Sequence, residues 1–242
     1  MPDAAFTVST GAHLATIELC RPDSGNRLTA EEVRALGEAI RKAGSDPSVN
    51  VVVVRAQGDA FCLGRAPGGG PAPQTALEIR QQVAEPILSL YANVRATETP
   101  VIAAVQGPAL GFGTAFVAVC DLAIAADSAR FAFTEMTQNL PPTLAMSAAI
   151  DKMPAKHMLH MVLTREEITA ERAREYGIVS QVTPRSQFDD TVKATAALLT
   201  DRDRAAVCGI KEYLVNALTL DAASSARFAA NTISTILASQ KK

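Results

Sequence analysis

Four consecutive β-branched residues, Val51-Val-Val-Val54, follow a helix-coding segment, and this juxtaposition constrains the fold more than any other feature of the chain. A run without polar alternation suits a strand buried on both faces, as in a parallel sheet covered by helices. Upstream, Thr29 and Glu32 form a capping-box pattern, and Val33, Leu36 and Ile40 recur on one face, which predicts an amphipathic helix over 31–43. Residues 14–19 form a short apolar-rich strand, and Arg21-Pro-Asp-Ser-Gly-Asn26 is a turn that begins a hairpin or a crossover. Strand, helix, strand in this order implies a right-handed βαβ unit.

The same logic organises the middle of the chain. A Gly- and Pro-rich loop follows the valine run, then a helical pattern carrying Val83, Ile87, Leu90 and Val94, which Pro86 must kink or start. Val101-Ile-Ala-Ala-Val105 is a strand. It leads through Gly107-Pro-Ala-Leu-Gly-Phe-Gly113 into an apolar helix over 114–120, which Asp121 ends. Strands are expected over 122–126 and 130–133, the latter delivering Glu135 at its end, and again over 178–182. Helical segments over 202–218 and 222–239 close the chain. The reading is an α/β core, residues 1–200, followed by a C-terminal helical region, residues 201–242.

Composition narrows the classes of function. A chain of 242 residues with 48% hydrophobic content can form one sizeable core. A net charge of −2 and the lack of any Lys/Arg run argue against a nucleic-acid surface or a basic membrane patch. No segment is apolar for long enough to span a bilayer, and no basic start with an apolar stretch marks the N-terminus. Cys20, Cys62, Cys120 and Cys208 lie far apart without zinc-site spacing and read as reduced thiols. His13, His157 and His160 have no metal-ligand arrangement, so no metal is expected. A cytoplasmic protein fits these features.

The turn 107–113 is the best local signal of chemistry. A helix starting there directs unpaired backbone N–H groups out of its positive end, a site suited to anions. Taken alone, the glycines serve equally to pack a helix against a sheet. Likewise, Glu135 taken alone reads as a surface or capping carboxylate.

Three blocks together resemble the enoyl-CoA hydratase/isomerase (crotonase) family. They are Asp59-Ala-Phe-Cys-Leu-Gly-Arg65; Val105-Gln-Gly-Pro-Ala-Leu-Gly-Phe-Gly113 with Cys120-Asp-Leu-Ala-Ile-Ala125; and Ala129-Arg-Phe-Ala-Phe-Thr-Glu135 continuing to Pro142. Residues 163–170, 176–179 and 210–212 resemble the family's later landmarks. The resemblance implies a crotonase-like spiral of ββα and βαβ turns, a C-terminal helical oligomerisation region, and a homotrimer or dimer of trimers. It also implies an acyl-CoA thioester substrate, with coenzyme A part of the substrate and no other cofactor. Further implied are an oxyanion hole from the backbone N–H groups of Arg65 and Phe112, Glu135 as the proton-transfer group, and substrate contacts from Leu63, Gly64, Gly111, Gly113, Ala115 and Pro142.

The departures from the family pattern carry information. Hydratases of the family usually bear a first glutamate where this chain has Ala115. Hydration divides water activation and α-carbon protonation between two carboxylates, whereas a double-bond shift needs one base that removes and returns a proton. The single-glutamate pattern therefore resembles the family's isomerases. A hydratase lacking one acid, another thioester-enolate lyase or decarboxylase, and a catalytically weak acyl-CoA-binding protein are the alternatives. Arg65 replaces a usual small residue; its side chain either points to solvent, the expected case for Arg, or pairs with a substrate anion. Phe112 either walls the acyl pocket or fills the core.

Overall fold

The computed structural model describes residues 4–69 and 72–240. The chain opens with β1 (Phe6–Gly11) and β2 (Leu14–Leu19), an antiparallel hairpin turning at Ala12 and His13, both with positive φ. The hairpin thus precedes the strand expected to open the fold, and the turn at 21–26 starts a crossover. This crossover runs through α1 (Ala30–Gly44), whose capping box is formed by Thr29 and Glu32, to β3 (Val51–Ala56), parallel to β2. Next come α2 (Ala76–Ile79), one wide turn over Arg80–Ala84 and α3 (Glu85–Ala96), which has Pro86 in its first turn, where a missing N–H costs least. Pro86 therefore marks a start.

Strand β4 (Val101–Val105) leads through β5 (Ala109–Leu110) and α4 (Phe112–Val119) to β6 (Leu122–Ala126) and β7 (Arg130–Ala132). Helices α5 (Thr143–Ala149) and α6 (Ala155–Thr164), strand β8 (Ile168–Thr169) and α7 (Ala170–Glu175) follow. The last strand is β9 (Gln181–Thr183), which starts after the expected 178: Ile178 and Val179 pack into the core ahead of it. Helices α8 (Phe188–Thr200), α9 (Arg204–Ala217) and α10 (Ala222–Ser239) end the chain.

The main sheet runs β1-β2-β3-β4-β6-β9, parallel from β2 onwards, and β5-β7-β8 form a second, small sheet. Alternation within the buried strands explains the valine run. Val52, Val54, Ala103 and Val105 face the core that contains α1 and α3. Val51, Val53, Ile102 and Ala104 face Phe188, Val192 and Ala196 of α8. Both faces are covered, and each fully buried Val or Ile contributes about 1.5–3 kcal/mol. No helix among the described residues is long and apolar enough to cross a membrane.

Candidate active site

Two loops leave the C-terminal ends of β3 and β4 and are laced together through backbone groups. The Nδ2 of Asn26 donates to the carbonyls of Gln57 and Ala60 at 2.9 Å, and the Nε2 of Gln106 donates to Gly58 and Ala60 at 3.0 Å. The Leu110 N–H reaches the Cys62 carbonyl at 2.9 Å. Glycine is required where the loops touch. A Cβ on Gly107 would stand 1.8 Å from the Asp59 carbonyl oxygen, and one on Gly113 2.1 Å from that of Cys62. The glycines therefore pack the loops, and the same packing aims their N–H groups.

The aim can be derived bond by bond. Leu28 bridges the first loop by donating to the Gly64 carbonyl (3.3 Å) and accepting from the Ala66 N–H (2.9 Å). In extended chain, alternate residues face opposite ways, so the intervening Arg65 turns its own N–H away from Leu28. That N–H meets no acceptor among the described residues. Phe112 is the first residue of α4, so its N–H has no intrahelical acceptor and finds no other. Gly111 before it has φ +54° and donates its own N–H to the Ala132 carbonyl at 2.7 Å. Two buried segments thus each offer an unused backbone donor.

Glu135 opens a short 3₁₀ turn, Glu135–Gln138, directly after β7. Its carboxylate packs over Gly111, and its Oε2 is buried without a hydrogen-bond partner. Burial raises its pKa, opposed by backbone hydrogen bonds at Glu135 and Thr134. A carboxyl so placed is poised to accept and return a proton. Thr134 supports the same turn, while Thr114 is structural: its hydroxyl donates to the Ala109 and Ala132 carbonyls and accepts the Ala132 N–H.

The remaining expected residues divide. Gly64 and Gly111 join Arg65, Phe112 and Glu135 around the two loops, and Gly113 locks α4 against Cys62. Leu63 is partly exposed and packs on Gly25. Ala115 is fully enclosed one turn along α4, donating its N–H to the Gly111 carbonyl, and Pro142 is buried at the start of α5. Phe112 fills the core, its ring stacked on Phe116 with centroids 6.0 Å apart. The Cys62 thiol is pushed up to about 11 by burial, which leaves it protonated and unsuited to nucleophilic work.

Arg65 corrects an expectation. Its side chain does not point to solvent: it is half-buried, Nη1 donates to the Val83 carbonyl at 3.3 Å, and Nε is buried without a partner. Sequence reasoning also missed Tyr91. This α3 residue is 1% exposed, its hydroxyl has no partner, and its pKa is raised by burial and then by the nearby charge of Glu135. Its only signal in the sequence was a phenol placed next to Leu90 on a core-facing helix.

The family model described as enoyl-CoA hydratase/isomerase matches residues 9–242. The chain belongs to this family. Among its relatives is the (E)-benzylidenesuccinyl-CoA hydratase of Thauera aromatica, 31% identical over 215 residues, covering 86% of this chain and 81% of that protein. Another is the 2,3-dehydroadipyl-CoA hydratase of Escherichia coli K12, 29% identical over 178 residues, covering 73% and 68%. The crystal structure of an enoyl-CoA hydratase from Mycobacterium smegmatis superposes with TM-score 0.89 at 28% identity, covering 96% of this chain and 90% of that one. Human enoyl coenzyme A hydratase domain-containing protein 3 matches at TM-score 0.90 and 23% identity, covering 97% and 92%, a likeness of fold. The fold is the crotonase fold, and the protein is an acyl-CoA enzyme of the enoyl-CoA hydratase/isomerase family.

Proposed function

We propose that this family member isomerises the double bond of an enoyl-CoA by proton transfer through Glu135 alone. The observation that carries the reading is the Glu135 carboxylate over Gly111, its Oε2 buried without a partner, beside the free N–H groups of Arg65 and Phe112. With the thioester oxygen on those two donors, Glu135 removes a proton from the α-carbon of a 3-enoyl thioester. The electron pair moves onto the oxygen as a dienolate, the donors stabilise it, and Glu135 returns the proton to the γ-carbon, leaving a 2-enoyl thioester. Each donor is worth about 3 kcal/mol of barrier. Ala115 supplies no second acid, which favours this one-base cycle over hydration.

Hydration is the second reading, because the relatives named above are hydratases. It requires a water held opposite Glu135 without help from position 115. Residues 201–242 are proposed to assemble the chain as a homotrimer or dimer of trimers, a reading supported by the exposed Ile210 and Leu214 of α9, Leu218 just after it, and Ile233 and Leu237 of α10. The four free cysteines fit a reducing compartment such as the cytoplasm.

The test is solvent deuterium exchange into 2-enoyl- and 3-enoyl-CoA thioesters by the native chain and by Glu135→Gln. Label at the α- or γ-carbon with a shifted double bond, lost in the variant, supports isomerisation. A 3-hydroxyacyl product instead assigns hydration. Binding without exchange or product makes the protein an acyl-CoA-binding module.

A further inference from the structure

The proton-transfer cycle uses the backbone of Arg65 but neither its guanidinium nor the hydroxyl of Tyr91. Both groups are anomalous. The Arg65 side chain is half-buried with one carbonyl acceptor, and among the described residues it belongs to no ion pair. Its Nε and the Tyr91 hydroxyl are both buried without partners. Arg65 Nη1 rests on the Val83 carbonyl, on the same helical run as Tyr91, and the Tyr91 hydroxyl is within electrostatic reach of both Arg65 and Glu135. Glu135 does not neutralise the arginine: its own pKa is governed by burial and backbone hydrogen bonds, with no cation contributing. A half-buried guanidinium whose Nε has no partner and a buried phenol with none are costly in a folded chain, and a ligand anion would satisfy both.

Position identifies the anion. The thioester oxygen sits on the backbone of Arg65, so the guanidinium lies within one side chain's length of the thioester. The phosphates of coenzyme A are separated from that point by the whole pantetheine arm. Tyr91 lies on α3, the helix that continues from the Arg65 contact at Val83, and is within electrostatic reach of Glu135, which puts it on the acyl side. A planar guanidinium fork matches a carboxylate, and a phenolic O–H adds a third donor.

We propose that Arg65 and Tyr91 form a carboxylate-binding subsite in the acyl pocket, so that the preferred thioester carries a second carboxylate on its acyl group. This rests on the acyl-CoA reading of the Glu135 site and deepens it by naming the substrate class.

The experiment compares calorimetric binding of hexanoyl-CoA with that of the mono-CoA thioester of hexanedioic acid. The two share one chain length and have no double bond to turn over, so the native full-length chain is used. The dicarboxylic thioester is expected to bind about tenfold tighter or more, from a charge-assisted contact. That ratio should collapse towards one in Arg65→Met and fall part-way in Tyr91→Phe. Arg65→Lys, which keeps the charge and loses the fork, should hold an intermediate ratio and decides the matter if Arg65→Met does not fold. Equal native affinities, or a preference that survives loss of the guanidinium, overturn the subsite and leave the enolate chemistry of Glu135 standing. Failure of both thioesters to bind overturns the subsite and the acyl-CoA reading together.

Discussion

The carboxylate of Glu135 lies directly over Gly111: a methyl group on that glycine would stand 3.5 Å from Oε1 of Glu135 and 2.9 Å from Oγ1 of Thr134. The backbone there is left-handed in φ (+54°) with ψ −117°, a combination that strains any side chain. Replacing Gly111 by Ala therefore disturbs the proposed base and the proposed oxyanion turn in one step. Gly111→Ala is expected to cost about 1–3 kcal/mol of stability, the usual range for backbone strain. Thioester proton exchange should fall more steeply than thioester affinity. Urea denaturation read alongside exchange and binding isotherms checks this, and an unchanged exchange rate would refute the contact's importance.

The pH dependence of Glu135 has a defined sign. Its folded pKa is raised above the ordinary 4.5 because burial disfavours the charged form. Stability associated with the protonated carboxyl is therefore fully present below the unfolded value and is lost as pH rises through the folded value. Glu135→Gln, which removes the charge, should be more stable than the native chain at neutral pH, with the advantage vanishing as pH falls below 4.5. Exchange activity should rise with pH along a limb set above the ordinary carboxylate value, and the Gln variant should lose about 10²- to 10⁴-fold. Thermal melts across pH, paired with a pH–rate profile, read both effects.

Why some of this was legible in the sequence follows from where the information lies. The valine run, the Thr29–Glu32 capping box and the glycines of 107–113 are local signals, and each is realised where it was read. Strand β1 was missed because five of its six residues are exposed and its polar composition carries no buried face. Strands β5 and β8, two residues each, are too short to have a period. In the site, Glu135 and the two backbone donors followed from family motifs. The burial of the Arg65 side chain depends on how the segment carrying Val83 packs beside the first loop, a long-range relation that no local pattern encodes.

Lys211 illustrates the same limit and yields a stability prediction. Its Nζ is buried and donates to Asp121 Oδ2 at 2.7 Å, to the Val94 carbonyl at 2.9 Å and to the Thr99 carbonyl at 3.2 Å, with Thr97 completing the set. Asp121 also accepts the Val101 N–H at 2.7 Å, so the carboxylate that follows the end of α4, as read from the sequence, also ties α9 to the start of β4. Removing one member of a buried, hydrogen-bonded ion pair strands the other, at about 3–5 kcal/mol. Lys211→Met is expected to lose an amount in that range, and the Lys211→Met, Asp121→Asn pair should lose less than the sum of the singles. Equilibrium denaturation of all four proteins closes the cycle, and additive losses would show that the two side chains do not act together.

The oxyanion assignment can be tested by deleting a single hydrogen-bond donor. The N–H of Phe112 is the first of α4 and has no acceptor among the described residues, whereas its ring is stacked on Phe116 and its position is fixed by Gly111. Substituting the backbone amide at 112 by an ester, with the phenylalanine side chain retained, removes the donor and weakens the Gly111 carbonyl as acceptor of the Ala115 N–H. The N–H itself bonds to no group of the described residues, so folding stability should fall only by the weakened bond from Ala115 to the Gly111 carbonyl, at most about 0.5–1.5 kcal/mol. If it holds the charge that develops on the thioester oxygen, the turnover rate should fall about 10²- to 10³-fold, the loss typical of one oxyanion donor. A preserved rate would place the reacting oxygen elsewhere, while a large loss of stability would mean that the fold itself uses this N–H.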